Sequence, residues 1–305
     1  MKISALVSRP YQSADDLYAI GKLIRRAYAS SPSLNAWSFC RFDIWAQRRI
    51  AKAESYQDRS WQEHMRLWTN ENGTLAGAAF ACDQPASRRN PCPYAFILEP
   101  GNPGLAEEML DWTETRAAPE IEALAGGELL NEMLLQRGYT CSADCMIRRE
   151  KRLAELPEEP VLLPPAYHIE RLVRKDWTVY FVAVNAVFNF MDTVDVYRLV
   201  QQAPSFVREL HLNVICEGNG IAAFCSAWWD RENGLAELEP VGTVPRFRKL
   251  GLASALLAYT ANRLREMGCP RLQVDSWSES LEANCLYEGC GLLEKDRVYT
   301  WKKER

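Results

Sequence analysis

Histidine is scarce: only His64, His168 and His211 occur in 305 residues. None has a ligand neighbour at a metal-binding spacing, so neither a structural nor a catalytic zinc is expected, and no other metal. Ten cysteines are present but no Cys-x-x-Cys pair. The close pairs are Cys141 with Cys145 and Cys285 with Cys290. A chain this long does not need bridges to hold a core, and free thiols are expected. No histidine stands near Cys285 or Cys290, which leaves a covalent cysteine route unsupported. Apolar runs never reach the length of a membrane span. The first ten residues are too short and too charged for a secretory segment. Cytoplasm is therefore the expected compartment, with no membrane partner. Long basic blocks are also missing, and the net charge is −4, which argues against nucleic acid. The densest basic cluster is Arg148, Arg149, Lys151 and Arg152, diluted by Glu150, Glu155, Glu158 and Glu159. It reads as a solvated linker. Neither a Gly-Lys-Ser/Thr phosphate loop nor a dinucleotide glycine fingerprint occurs.

What is there is an ordinary globular composition, 48% apolar and 25% charged, in a chain long enough for two domains. The break falls between 149 and 165, where Pro157, Pro160, Pro164 and Pro165 sit among charges and no apolar period survives. Before it, helical spacing marks 13–29, capped by Ser13, and a region around 45–53. Strands are expected at 61–68, 74–82, 94–98 and 139–147, and helices at 104–116 and 128–136. After the break the pattern is a strand at 167–172, helices at 176–190 and 195–202, and strands at 210–217, 221–228 and 235–243. A helix at 250–267, a strand at 272–276, a helix at 281–288 and a strand at 297–302 complete it. The two halves share this rhythm, which suggests an internal duplication.

The stretch Val241-Gly-Thr-Val-Pro-Arg-Phe-Arg-Lys-Leu-Gly-Leu-Ala-Ser-Ala-Leu-Leu257 reads as a strand end, a basic glycine turn and the start of an apolar-faced helix. Gly251 removes the Cβ where a phosphate would approach, and Ala253 is nearly as small. The amides of residues 249–254 would be uncapped helix donors pointing one way, a nest for a pyrophosphate. Arg248 and Lys249 add positive charge.

With Pro245, Phe247, Arg248, Gly251 and Ala253 in these places, the stretch resembles the acetyl-coenzyme A motif of the GCN5-related N-acetyltransferase (GNAT) superfamily. Downstream, Ala283-Asn-Cys-Leu-Tyr287-Glu-Gly-Cys-Gly291-Leu292 resembles the family's tyrosine motif, with Leu292 in place of an aromatic. The resemblance implies an α/β (α+β in some schemes) architecture, a mixed, mostly antiparallel sheet flanked by helices, over residues 166–305. Residues 1–150 resemble a degenerate second copy: they lack the basic glycine turn and a counterpart of Tyr287. Residues 151–165 would link the two. The chain as a whole resembles tandem-domain acetyltransferases of this superfamily, with one working site.

By the same resemblance, acetyl-CoA is the co-substrate and lies between strands 235–243 and 272–276. The pantetheine would pair with backbone at Val241, Gly242 and Thr243. The pyrophosphate would rest on Arg248, Lys249, Leu250, Gly251, Leu252, Ala253 and Ser254, and Asn284 would be a further contact. Tyr287 would donate to the departing thiolate. An alkylamine near pKa 10 is about three units from its free base at neutral pH, roughly 4 kcal/mol, so a base is needed. Glu237 and Glu239, two apart on one strand face, are the candidates; either could instead attract a cationic substrate. Asp192, Asp195, Asp230 and Glu232 could line a mouth, and Trp37, Trp45, Trp228 and Trp229 could stack on a ligand or be core. The reading is an N-acetyltransferase acting on a small-molecule primary amine by direct attack in a ternary complex. Its alternatives are a lapsed CoA-binding sensor or scaffold, and an acyltransferase for a protein amine. Oligomeric state stays open.

Overall fold

The computed structural model describes residues 6–55, 57–82, 93–116, 120–153, 158, 160–173, 177–189, 193–218 and 220–303. Contacts divide the chain into two compact units: residues 1–147 with 277–279 and 296–305, and residues 148–276 with 280–295.

In the first unit the strands are β1 (Val7–Pro10), β2 (Met65–Thr69), β3 (Leu75–Ala81), β4 (Tyr94–Leu98) and β5 (Glu120–Leu124). The last strand of the chain, β12 (Leu293–Lys303), pairs antiparallel with β5 through Val298 to Lys302. Strands β1 to β4 pair antiparallel in sequence order, whereas β4 and β5 pair in parallel only at Tyr94↔Ile121 and Ala95↔Glu122. Helix α1 (Ala14–Ser30) starts where the Ser13 hydroxyl accepts from the Asp15 amide, and it buries Leu17, Ile20, Leu23 and Ile24 at helical spacing. Helix α2 (Phe39–Ser55) follows it. Helix α3 (Pro103–Glu114) buries Leu105 and Met109 at the place where a Cβ on Gly77 of β3 would stand. That glycine lets helix and sheet approach. Helix α4 (Glu128–Gln136) ends at Gly138, which takes φ 80°.

The second unit runs β7 (Tyr167–Arg171), α5 (Trp177–Phe188), α6 (Val194–Val200), β8 (Phe206–Cys216), β9 (Gly220–Asp230) and β10 (Leu235–Thr243). Helix α7 (Leu252–Glu266), β11 (Arg271–Trp277) and α8 (Leu281–Gly289) complete it. Its strand order is β11-β10-β9-β8-β7. Strand β10 is antiparallel to β9 and parallel to β11, but the parallel pairing covers only Leu235, Ala236 and Glu237. One sheet face carries Leu212, Val214, Cys225, Ala236 and Leu238 against Leu252, Leu256 and Tyr287 of α7 and α8. Each unit is thus a mixed, mostly antiparallel sheet flanked by helices, the expected architecture.

The order strand, two helices, three strands, helix, strand, helix, strand occurs twice, since β6 (Tyr139–Arg152) closes the first series as β12 closes the second. Residues 148–152 of β6 cluster with the second unit. There the Arg148 guanidinium holds Asp275 with bonds of 3.0 and 2.8 Å, and Arg149 donates to Ser276 at 3.0 Å and Glu288 at 2.9 Å. Both arginines are buried strand residues, not part of a solvated linker. A second difference lies at residues 61–68. Asp58 accepts from the amide and hydroxyl of Ser60, which winds residues 60–64 into a 3-10 turn before β2 begins. This local bond overrides the β preference of Trp61. Strands β1 and β5, of four and five residues, were not marked by the sequence pattern. All described cysteines are free. No described helix is long and apolar enough to cross a membrane.

Candidate active site

The basic glycine turn lies between β10 and α7. A 3-10 turn at Pro245–Phe247 leads into it, and the buried Phe247 ring anchors it edge-on to Tyr167 at 6.2 Å. Lys249 and Gly251 then take φ 62° and 75°. A left-handed residue other than glycine costs about 1–2 kcal/mol, so the chain holds strain at Lys249. Gly251 is the N-cap of α7, and a Cβ there would meet nothing within 4 Å. It has no side chain to satisfy the first helical amides. Among the described residues no group accepts from the amides of residues 249–254. Arg248 and Lys249 are exposed, and Arg248 Nε lies 3.3 Å from the Thr243 carbonyl. Six unpartnered amides, one positive helix end and an open approach at Gly251 suit a diphosphate. Leu252 instead points inward, with 1% exposure, and fastens the helix to the core.

Strand β10 supplies the other edge. Val244 N–H bonds the Ala222 carbonyl at 2.9 Å. Hydrogen-bonded and non-bonded pairs alternate along an antiparallel ladder. Val241 and Thr243, opposite Cys225 and Ala223, therefore turn their backbone groups away from β9. On that side β11 has already parted from β10 after Glu237. The two strands leave a gap edged by backbone of Val241 and Thr243 that β9 does not pair, suited to an extended amide chain. Gly242 faces the other way, and the Phe224 ring fills the space of its missing Cβ.

Glu237 and Glu239 differ sharply. Glu237 is 4% exposed and accepts from Gln273 Nε2 at 3.2 Å, opposite the buried Trp228. Glu239 is exposed, beyond an irregularity in register after Leu238. Simple alternation is lost there, so the two carboxylates do not share an environment. Tyr287 is 6% exposed on α8. Burial chiefly, then the Cys225 thiol and the Glu239 carboxylate, push its phenol up from the usual range, against the opposing charge of Arg149. The hydroxyl thus stays protonated through neutral pH. Asn284 is buried and accepts from Ser276 Oγ at 2.8 Å, in a chain that continues to Arg149.

Other candidates fall outside this gap. Asp230 is buried and accepts from the amides of Glu232 and Asn233, which makes it a turn residue. Asp195 pairs with Arg198 one helical turn on. Asp192 lies outside the described residues. Trp37, Trp45, Trp228 and Trp229 are all buried and belong to the cores. Gln273 was not singled out from the sequence, Trp228 was named there only as a stacking or core residue, and Arg149 only as part of a linker. Only strand register and the fold of β6 bring them to Glu237 and Asn284. Among the described residues no group of three or more metal-ligating side chains forms.

In the first unit the same positions hold other residues. Ala95↔Glu122 ends the parallel pairing of β4 and β5 as Glu237↔Gln273 ends that of β10 and β11, so alanine stands where Glu237 does. Counting from the helix starts places Leu134 at the position of Tyr287. Helix α3 opens with Pro103, which has no amide to offer, five residues after β4 has ended at Leu98. Glu122 is spoken for by Trp37 Nε1 at 2.7 Å and by Arg41 at 2.8 Å.

Residues 171–292 match the model of the Acetyltransferase (GNAT) family. A GCN5-related N-acetyltransferase from Sphaerobacter thermophilus shares the fold with a TM-score of 0.63 at 19% identity, over 98% of this chain and 95% of that one. An acetyltransferase of the GNAT family from Colwellia psychrerythraea gives 0.63 at 11% identity, over 98% and 100%. A tandem GNAT protein from the clavulanic acid biosynthesis pathway gives 0.61 at 12% identity, over 98% of both chains. No curated protein is similar in sequence. The family match encloses the uncapped turn, and the fold of these solved structures is shared along the chain.

Proposed function

We propose that this chain is an acetyl-CoA-dependent N-acetyltransferase of the cytoplasm that acts on a small-molecule primary amine by direct attack in a ternary complex. The observation that carries the reading is the set of unpartnered amides at 249–254 around the left-handed Gly251. The coenzyme-binding domain is 166–305, with 151–165 as linker. Residues 1–150 are a degenerate copy from a tandem duplication and take no coenzyme, because Pro103, Ala95 and Leu134 replace the groups the site needs. Bound at the β10–β11 gap, acetyl-CoA supplies an acyl group activated as a thioester.

The chain's own residues have separable tasks. The amides of Lys249 to Ser254, with the Arg248 and Lys249 side chains, hold the diphosphate. Val241 and Thr243 present backbone to the pantetheine. Asn284 steadies the α8 end through Ser276. Tyr287 keeps its proton and donates from its hydroxyl toward the thiolate. Glu239, exposed, draws a cationic amine in. Glu237, dry and held by Gln273, accepts its proton, directly or through water.

Calorimetric titration with acetyl-CoA tests the binding, and release of free thiol across a panel of amines tests the transfer. One bound equivalent with amine-dependent thiol release is expected. Failure to bind at micromolar coenzyme overturns the reading. Binding without thiol release for any amine favours a sensor. Glu237→Gln is expected to lower turnover and remove the acidic limb of its pH profile, whereas Glu239→Gln raises KM for cationic amines. The reverse pattern exchanges their roles.

A further inference from the structure

The first unit has its own gap between parallel strands, and one side chain fills its backbone edge. Cross-strand register fixes the correspondence. Phe80 of β3 faces Ala95 as Trp228 of β9 faces Glu237. Three residues earlier on each of these strands, Gly77 faces Leu98 and Cys225 faces Val241. Leu98 is therefore the counterpart of Val241; β10 reaches it one residue later because of its irregularity after Leu238. Glu99 N–H bonds the Ala76 carbonyl at 2.9 Å. By the same alternation, Leu98 turns its N–H and C=O away from β3 and into the gap.

Asn35 meets both groups. Its Oδ1 accepts from Leu98 N–H at 2.8 Å, and its Nδ2 donates to the Leu98 carbonyl at 3.2 Å. Asn35 is 8% exposed. One amide giving and taking a bond at one strand residue is the pairing an adjacent strand, or an extended amide ligand, would make. Beside it a cavity of about 300 Å³ remains, lined among others by Ser31, Ser33, Leu34, Ala106 and Gly127. Its lining carries no cationic side chain and one carboxylate, Glu128, which suits a neutral chain better than a diphosphate.

We propose that the first unit retains a second cleft for a pantetheine-like amide chain, and that the Asn35 carboxamide closes it by standing in for the ligand's amide. The segment 31–38 between α1 and α2 thus serves as a built-in occupant. This rests on the reading that Val241 offers its backbone to the coenzyme.

Amide exchange in the whole protein, followed by NMR, tests it, with pantetheine as the probe because it lacks the phosphates. In the wild type, the Leu98 amide is expected to be protected with or without pantetheine, whereas Val241 gains protection only when the probe is added. In Asn35→Ala, Leu98 exchange is expected to quicken by tenfold or more, and millimolar pantetheine restores its protection. Equal protection of Leu98 in the two proteins, or an Asn35→Ala protein that pantetheine protects at Val241 but not at Leu98, overturns the proposal. No protection at Val241 in either protein instead sinks the coenzyme reading of β10 on which it depends. Should Asn35→Ala not fold, Asn35→Asp keeps the acceptor and loses the donor. Leu98 then stays protected while pantetheine still cannot enter; entry there would overturn the proposal.

Discussion

Replacing Gly251 by alanine separates a backbone cost from a ligand cost. Gly251 sits at φ 75°, where an L-residue pays about 1–2 kcal/mol. No atom lies within 4 Å of the new Cβ, so no packing term adds to that. The coenzyme-free protein should therefore fold, with the second unit weakened by about 1–2 kcal/mol in urea. Binding suffers differently, because the methyl group points into the open side of the turn, where a phosphate must come within hydrogen-bond distance of the amides. A hydrogen bond to a charged group is worth about 1.5–3 kcal/mol. Losing the equivalent of one such bond weakens binding by roughly ten- to 150-fold. Calorimetry of acetyl-CoA with the wild type and Gly251→Ala measures this directly, while urea unfolding without ligand measures the backbone cost. A folded variant whose Kd stays within about twofold of the wild type would refute the phosphate placement, since a charge-assisted bond cannot be lost so cheaply.

Tyr287→Phe is expected to lower kcat by about two to three orders of magnitude with little change in coenzyme Kd, as for loss of one transition-state donor; unchanged turnover removes its role. Because its phenol pKa is raised, the stability linked to Tyr287 is complete below pH 10 and declines only above it, so the wild type should lose stability on that side faster than Tyr287→Phe. Burial lowers His211 to about 3 from 6.5. The folded state keeps it neutral while the unfolded chain takes up a proton, so stability falls by a few kcal/mol as pH drops from 6.5 toward 3. His211→Gln should flatten urea midpoints across that window; an equal slope in both proteins contradicts the assignment. Arg148→Ala leaves Asp275 without its bidentate partner and should cost about 3–5 kcal/mol, much of it regained in Arg148→Leu with Asp275→Leu. Thermal melts of the single and double variants check this.

Local signals were legible in the chain. Ser13 as a cap, Gly138 as a left-handed helix stop, and the apolar spacing of α1, α3 and α7 each depend on residues within a turn or two of one another. The basic glycine turn was legible for the same reason: its amides, its charges and its positive φ all lie within residues 248–254. The repeated order of helices and strands showed in the rhythm of elements, because it is written twice along the chain. Where one local rule competed with another, as when the Asp58 bond outweighed the aromatic strand pattern at Trp61, the pattern misled.

Partnerships across long sequence separations were not legible. Arg148 and Arg149 look like solvent residues among glutamates, and only the extension of β6 into the second unit buries them against Asp275 and Ser276. Gln273 has no local mark; register puts it beside Glu237. Asn35 lies 63 positions from Leu98 and reads as an ordinary loop residue until the sheet places its amide on that backbone. The sequence by itself determined the elements and the turn that would hold a phosphate, since capping, period and left-handed glycine act between neighbours. Tertiary structure alone decided which carboxylate is dry and which strand edge lies open or filled, because those depend on register and burial.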